Sequence, residues 1–360
     1  MIDKKPNTIK RKKYLLIGDG ESVHIVKWAK ILTKYFDLYL ISFQGFHTDL
    51  FEIIKEQNRT SFNISLNSNG GNVVVLKKIW AVLKIINNWK PDIVNAHYIS
   101  SSGFLAAIAK KLSLHHFTLI QSAWGSDILV SPKKNYFYIL ITKFALNSSE
   151  IITSDSEFMS AEIRKLSTKK ICTFTFGIEN LPDVDASSKN VNLYFSNRGL
   201  SQTYRIDKII DFFAKIKAKN NKAKLIISND GNMRGMLEKQ VVKLDLQDDV
   251  SFLGFINQNS QNEIYEKSQF FLSLPDSDST SVSLIEAMSY GCIPLLSDLP
   301  ANKEWIQNWQ NGLIEPFEPK DLEQMLIHRK EIFDFNRNLI NEKGIFSNSI
   351  YKFLKDNRLL

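Results

Sequence analysis

The sequence predicts an α/β protein built from two doubly wound lobes with a helical tail, and three observations predict it. Short apolar runs alternate with longer amphipathic runs along most of the chain, as βαβ units around parallel sheets require. The alternation stops at a polar stretch over 179–190, which holds Pro182, Ser187 and Ser188, and then restarts. The chain has 360 residues, more than one ordinary core needs, so two domains are the natural division. The expected parts are a first lobe over 1–185, a second over 186–335, and a tail over 336–360 that packs back toward the first.

In the first lobe, 14–18 reads as a strand. Residues 22–36 follow, with Val23, Val26, Ala29, Ile31 and Leu32 roughly at helical spacing. Strands are expected again at 37–42, 92–96, 117–121 and 150–153, with helices near 101–112, 132–146 and 155–166. In the second lobe, strands fit 191–196, 224–228, 250–253, 270–274 and 293–296. Helices fit between them at 207–219, 232–244, 259–267 and 281–290, and 321–354 is mostly helical in pattern. Ligands of such sheets bind at the carboxyl ends of strands, and with two lobes the expected site is the cleft between them.

Composition narrows the class. Hydrophobic residues at 44% and charged residues at 23% are globular proportions, which excludes a disordered or fibrous chain. Cys172 and Cys292 stand far apart and build neither a disulfide framework nor a Cys-rich metal site, so a reducing compartment is expected. No run of roughly 18 apolar residues occurs, and the basic start of the chain lacks the apolar core of a signal peptide. A cytoplasmic protein is therefore expected. The net charge of +8 fits a phosphorylated substrate and an anionic membrane better than nucleic acid, because the basic residues are spread and no zinc-finger or RNA-binding motif accompanies them.

The most informative segment is 275–298. The apolar strand 270–274 runs into a loop rich in Asp, Ser and Thr, and a helix begins near Ser281 with Ser279 or Thr280 as cap. The first N–H groups of that helix, from Ser281 and Val282 onward, and its dipole form an anion site suited to a diphosphate. Glu286 lies about one and a half turns in, and Asp278 precedes the helix. Taken alone, these residues fit a capped helix with solvated acids equally well.

The segment resembles the retaining glycosyltransferases of family 4, which share the two-lobed GT-B fold. Asp278 and Glu286 have the separation of that family's two glutamates, and Ala287, Met288, Gly291 and Pro294 follow in place. The departure is Asp for the first Glu. The resemblance extends to Arg198 in Ser196-Asn197-Arg198-Gly199, whose fork suits the donor diphosphate. Tyr204 stands where the family usually has Lys, which leaves Arg205 as the second cation. Asn229-Asp230-Gly231 resembles a family turn, and Gly254-Phe255-Ile256 resembles the segment that cups the base.

In the first lobe, Gly18 and Gly20 occupy the loop that approaches the donor in the family, and His24 begins the next helix on the acceptor side. Many members carry His where Trp124 stands, so His97 and Asp127 are the candidates to take that role. Phe176-Gly177-Ile178-Glu179 resembles the segment that closes the first lobe.

The resemblance implies a retaining transfer of sugar from a nucleotide diphosphate to a glycan acceptor in surface polysaccharide synthesis. The acceptor is expected to be lipid-linked, with Asp278, Glu286, His97 and Asp127 catalytic. Asp276 and Asp278 also spell the Asp-x-Asp that holds a divalent metal in a different transferase fold. The rest of the segment fits a metal-free site, and neither metal nor cofactor is expected. The alternatives are a nucleotide-sugar 2-epimerase of similar fold and a catalytically silent sugar-nucleotide-binding subunit.

Two basic stretches bear on peripheral contact with an anionic membrane. One is the arm of Lys4, Lys5, Lys10, Arg11, Lys12 and Lys13; the other sets Lys133 and Lys134 beside Tyr136, Phe137 and Tyr138. For the second, a buried helix over 136–146 is the simpler expectation.

Overall fold

The computed structural model describes residues 11–64 and 73–360. The chain forms two compact units. One comprises residues up to Asp155, Met159–Phe174 and Ile350–Leu360; the other comprises Ser156–Phe158 and Thr175–Ser349.

The first unit carries β1 (Lys13–Gly18), α1 (Val23–Tyr35), β2 (Asp37–Ser42), α2 (Leu50–Ile53), β3 (Arg59–Ser61), α3 (Ile79–Trp89), β4 (Ile93–His97), α4 (Phe104–Leu112) and β5 (Thr118–Ser122). It continues through α5 (Ser126–Leu129), α6 (Ser131–Lys134), α7 (Tyr136–Asn147), β6 (Ile151–Ser154), α8 (Glu157–Arg164) and β7 (Lys170–Thr173). The strands form one parallel sheet in the order β3-β2-β1-β4-β5-β6-β7. Helices cover both faces, so the central strands are apolar almost throughout; Leu15, Ile17, Ile41, Val94 and Leu119 are wholly buried.

The second unit carries β8 (Asn190–Ser196), α9 (Ile206–Lys219), β9 (Lys224–Ser228), α10 (Arg234–Lys243), β10 (Val250–Gly254), α11 (Gln258–Lys267), β11 (Ser268–Ser273), α12 (Val282–Ser289) and β12 (Ile293–Leu296). Then come α13 (Pro300–Lys303), β13 (Leu313–Ile314), α14 (Asp321–Ile327), α15 (Arg329–Lys343) and α16 (Phe346–Asp356), whose last turns group with the first unit. Its parallel sheet has the order β10-β9-β8-β11-β12-β13.

The structure departs from expectation at the boundary after the first lobe and in the helix over 132–146. The boundary falls at 174/175 rather than 185/186, because 175–182 is fastened to the second unit. The Ile178 amide donates to Gly344 O at 3.0 Å, the Phe346 amide to Ile178 O at 2.8 Å, and Arg337 to Pro182 O at 2.8 Å. The tail beginning at 336 stays with the second unit as far as Ser349, and Ile350–Leu360 groups with the first. The single helix expected over 132–146 is broken at Asn135, which is extended and caps α7 by accepting from the Tyr138 amide at 3.1 Å. The edge strands β3 and β7 and the helix α3 were not anticipated; β3 spans only 3 residues, too short for a period to show.

Lys4, Lys5 and Lys10 lie outside the described residues. Arg11 donates to Thr33 O at 3.0 Å and Lys13 to Trp89 O at 2.8 Å, so that part of the basic arm is tied down onto the first unit. Among the described residues no helix is long and apolar enough to cross a membrane.

Candidate active site

In the second sheet, the chain runs from β8 outward to β10 and then returns to start again at β11, on the other side of β8. The two halves diverge between β8 and β11, which opens a crevice at their carboxyl ends. Arg198 stands just past β8, and the loop 274–281 leads from β11 into α12. The two meet there. Arg198 Nη2 donates to Asp278 Oδ2 at 2.5 Å, Nη1 donates to the Ser281 hydroxyl, and the guanidinium lies 4.4 Å over the Tyr204 ring. Arg198 is buried, and its Nε has no hydrogen-bond partner among the described residues. Burial opposes its charge, but Asp278 beside it leaves its pKa above the ordinary value. Burial pushes the Asp278 carboxyl up, against the pull of Arg198.

Ser281, rather than Ser279 or Thr280, holds the cap position of α12, and it makes no capping bond because its hydroxyl receives Arg198. The Ser279 amide donates to Asp278 Oδ1 at 3.0 Å, and Thr280 Oγ1 receives the Trp305 indole at 3.4 Å. The amides of Val282 and Ser283 precede the first helical bond, which runs from the Leu284 amide to Ser281 O at 3.0 Å, and the dipole makes that end a seat for an anion.

Glu286 is buried on the same helix and accepts from Gln261 Nε2 at 3.1 Å and the Tyr265 hydroxyl at 3.3 Å. That hydroxyl also meets Ser283 O at 3.1 Å and receives Asn197 Nδ2 at 2.8 Å. Burial, and then Glu286, raise the Tyr265 phenol well above its usual range, so it remains a donor. Gln261 and Tyr265 did not emerge from the sequence. Their signal is a polar pair at i, i+4 on one face of α11.

Arg205 does not join this group. Its left-handed backbone (φ +49°) turns the side chain toward the nearest acids: Nε meets Asp207 at 3.0 Å and Nη1 meets Asp276 at 3.1 Å, where Lys208 Nζ also donates at 3.2 Å. Both acids of Asp276-Ser277-Asp278 are thus paired with cations. Among the described residues no three His, Cys, Asp or Glu side chains are grouped to hold a metal ion. Gly254 closes β10 with φ +67°, a left-handed conformation that favours glycine, and its carbonyl accepts from the Asn229 amide at 2.6 Å. Phe255 beside it is 79% exposed.

The first sheet diverges in the same way between β1 and β4. Gly18, Gly20 and His97 stand at that end. Close approach of backbone explains Gly20, where a Cβ would lie 2.6 Å from Gly45 O; at Gly18 the nearest atom, 2.7 Å away, is the end of the Ile25 side chain. Trp124 lies between two histidines, with ring centroids 5.0 Å from His24 and 5.2 Å from His97, and Trp28 meets His97 edge-on at 4.9 Å. His97 is buried, and neither ring nitrogen has a hydrogen-bond partner among the described residues. Burial lowers its pKa to about 3 and that of His24 to about 4. Asp127 is buried and accepts from the amides of Ile99 at 2.8 Å and Trp124 at 3.0 Å; burial still raises its pKa to about 6. The structure therefore gathers His24, His97, Trp124 and Asp127 in the first unit, and Arg198, Asp278, Ser281 and Glu286 in the second.

Two doubly wound parallel sheets with these crevices define a two-lobe GT-B fold, and solved structures agree. Anabaena HepE in complex with UDP is 15% identical with a TM-score of 0.77, over 97% of this chain and 100% of that one. Sucrose-phosphate synthase from Thermosynechococcus elongatus is 12% identical with a TM-score of 0.81, over 97% and 99%.

Residues 13–156 match the family described as Glycosyl transferase 4-like, and 177–340 match Glycosyl transferases group 1. The chain belongs to the group 1 glycosyltransferases. An uncharacterized glycosyltransferase of Methanocaldococcus jannaschii is 24% identical over 246 residues, 62% of this chain and 59% of that protein. The alpha-monoglucosyldiacylglycerol synthase of Streptococcus pneumoniae is 27% identical over 92 residues, 26% of this chain and 21% of that protein. The chain thus spans less than two thirds of these curated relatives.

Proposed function

We propose that this enzyme transfers a sugar, with retention of configuration, from a nucleoside diphosphate to a lipid-linked glycan during surface polysaccharide synthesis at the inner face of the cell membrane. The observation that carries the reading is Arg198, buried at the tip of α12 with Nε unpartnered. There it neutralises a diphosphate, with Glu286 held behind it to take the ribose. A nucleotide-sugar donor is supported by the likeness to HepE, which was also crystallised with UDP-glucose. The named diacylglycerol synthase supports a lipid-borne acceptor.

In the step itself, the bond from the anomeric carbon to the phosphate oxygen breaks. The acceptor oxygen bonds to that carbon on the same face, and its proton passes to the leaving phosphate. Stabilising the departing charge is then the main catalytic task. Arg198 and the α12 amides meet that charge, and the step uses neither metal nor cofactor.

The test mixes candidate nucleotide sugars with and without a lipid-linked acceptor and follows release of nucleoside diphosphate and sugar product. Acceptor-dependent release is expected, and Glu286→Ala should reduce it by several orders of magnitude. Near-normal turnover of that variant, or conversion of the donor without acceptor, would overturn the reading.

A further inference from the structure

Among the described residues, helix α7 keeps an apolar face exposed. Its first turns, Tyr136–Ile141, are aromatic and aliphatic, yet folding buries one side of the helix only: Thr142, Ala145 and Leu146 are buried, and Phe144 meets Phe104 of α4 at 5.5 Å. The other side carries Tyr136 at 72% exposure, Phe137 at 62% and Leu140 at 47%, on a stripe that continues into exposed Lys143. A buried helix was the expectation here. The capped break at Asn135 overturns it, because it starts a new helix whose first two residues, Tyr136 and Phe137, face outward.

Large apolar side chains exposed side by side, rather than scattered singly, mark an interaction site. Its charge identifies the occupant. Lys133 and Lys134 precede it on α6 and Lys143 follows it, and from Ile128 to Ser149 the chain contains no acidic residue. Aromatic side chains with lysines on either side suit the headgroup layer of an anionic bilayer, where rings enter the interface and ammonium groups meet phosphates. The start of α7 also lies at the carboxyl end of the first sheet, the end that holds Trp124 and Asp127. Trp80, 74% exposed in the first turn of α3, stands at that same end of the same helix layer.

We propose that the outer face of α6 and α7 docks this enzyme onto an anionic membrane and brings the carboxyl end of the first sheet to the lipid surface. This deepens the reading of a lipid-linked acceptor and takes its purpose from it, but it is tested without donor or acceptor.

The full chain is floated with vesicles of phosphatidylcholine alone and of phosphatidylcholine mixed with phosphatidylglycerol. Binding is expected to the mixed vesicles only and to weaken with salt. The Tyr136→Ser/Phe137→Ser variant and the Lys133→Gln/Lys134→Gln variant should each weaken it by roughly tenfold or more, while their melting temperatures match the parent. These side chains are exposed, so the fold does not depend on them. Absence of binding, equal binding to neutral vesicles, or unchanged binding by both variants would overturn the proposal. So would a concentration-dependent dimer abolished by Tyr136→Ser/Phe137→Ser, which would make the face a contact between copies. Acceptor-dependent turnover with a water-soluble acceptor is measured alongside. Its survival when vesicle binding fails would sink the docking surface and leave the transferase reading standing.

Discussion

Arg198 and Asp278, 80 residues apart in the chain, close on each other at 2.5 Å at the mouth of α12. The carboxylate occupies one edge of the guanidinium, and the Ser281 hydroxyl takes another of its N–H groups. A donor diphosphate must share Arg198 with this carboxylate or displace it.

Asp278→Asn removes that competing charge while keeping the shape. Nucleoside diphosphate should bind roughly tenfold tighter, about 1.4 kcal/mol, while sugar transfer falls. Calorimetric titration with a panel of nucleoside diphosphates reads the first effect and turnover the second. Weaker binding by the variant would mean that Asp278 assists the diphosphate.

Tyr265→Phe deletes the hydroxyl that joins Asn197, Ser283 and Glu286. The donor KM should rise several-fold with a smaller change in kcat, since the lost group orients Glu286 in both ground and transition states. Stability should fall by about 1 kcal/mol, the usual value of a buried hydrogen bond. A variant with unaltered KM would reduce Tyr265 to packing.

Gly177→Ala tests how the segment 175–182 is fastened. A Cβ there would lie 1.9 Å from Gly344 O, a backbone atom without a rotamer to yield. The loss should exceed about 2 kcal/mol, or several degrees in Tm, read by thermal unfolding. An unchanged Tm would show that this contact is not made.

The first unit should lose stability in acid, and the sign follows from three buried groups. His97 and His24, with pKa values lowered to about 3 and about 4 chiefly by burial, stay neutral in the folded state. The unfolded chain protonates both below about 6.5, so their stabilising contribution is complete above that pH and is lost as pH falls. Asp127, raised to about 6 by burial, opposes them, because the folded state keeps a proton that the unfolded chain releases above about 4. Between pH of about 4 and 6 the balance is near one proton, so stability should rise with pH by about 1.4 kcal/mol per unit. Urea unfolding across that range measures the slope, and His97→Gln should flatten it. An equal slope in the variant would show that His97 is not the group responsible.

Much of the fold was legible in the sequence because burial on both faces of a parallel sheet demands continuous apolar runs. The runs at 14–18 and 293–296 therefore announced their strands. So did the helix holding Glu286, whose loop, small residues and turn follow one another locally. The unannounced elements lacked such a local pattern: β3 is a short edge strand, and the boundary near 174 depends on backbone contacts with Gly344 and Phe346.

The sequence by itself determined that there are two doubly wound halves, that Asp278 and Glu286 flank a helix start, and that Arg198 follows the strand that opens the second half. Only the tertiary structure decided which of these groups meet. It paired Arg198 with Asp278, turned Arg205 away to Asp207 and Asp276, set Tyr265 under Glu286, and left Tyr136 and Phe137 facing outward. The reason is physical: periodicity records which faces are buried, and that information is local. Hydrogen bonds between residues 80 apart depend on strand order, which places β8 beside β11 and leaves no trace in any short stretch of chain.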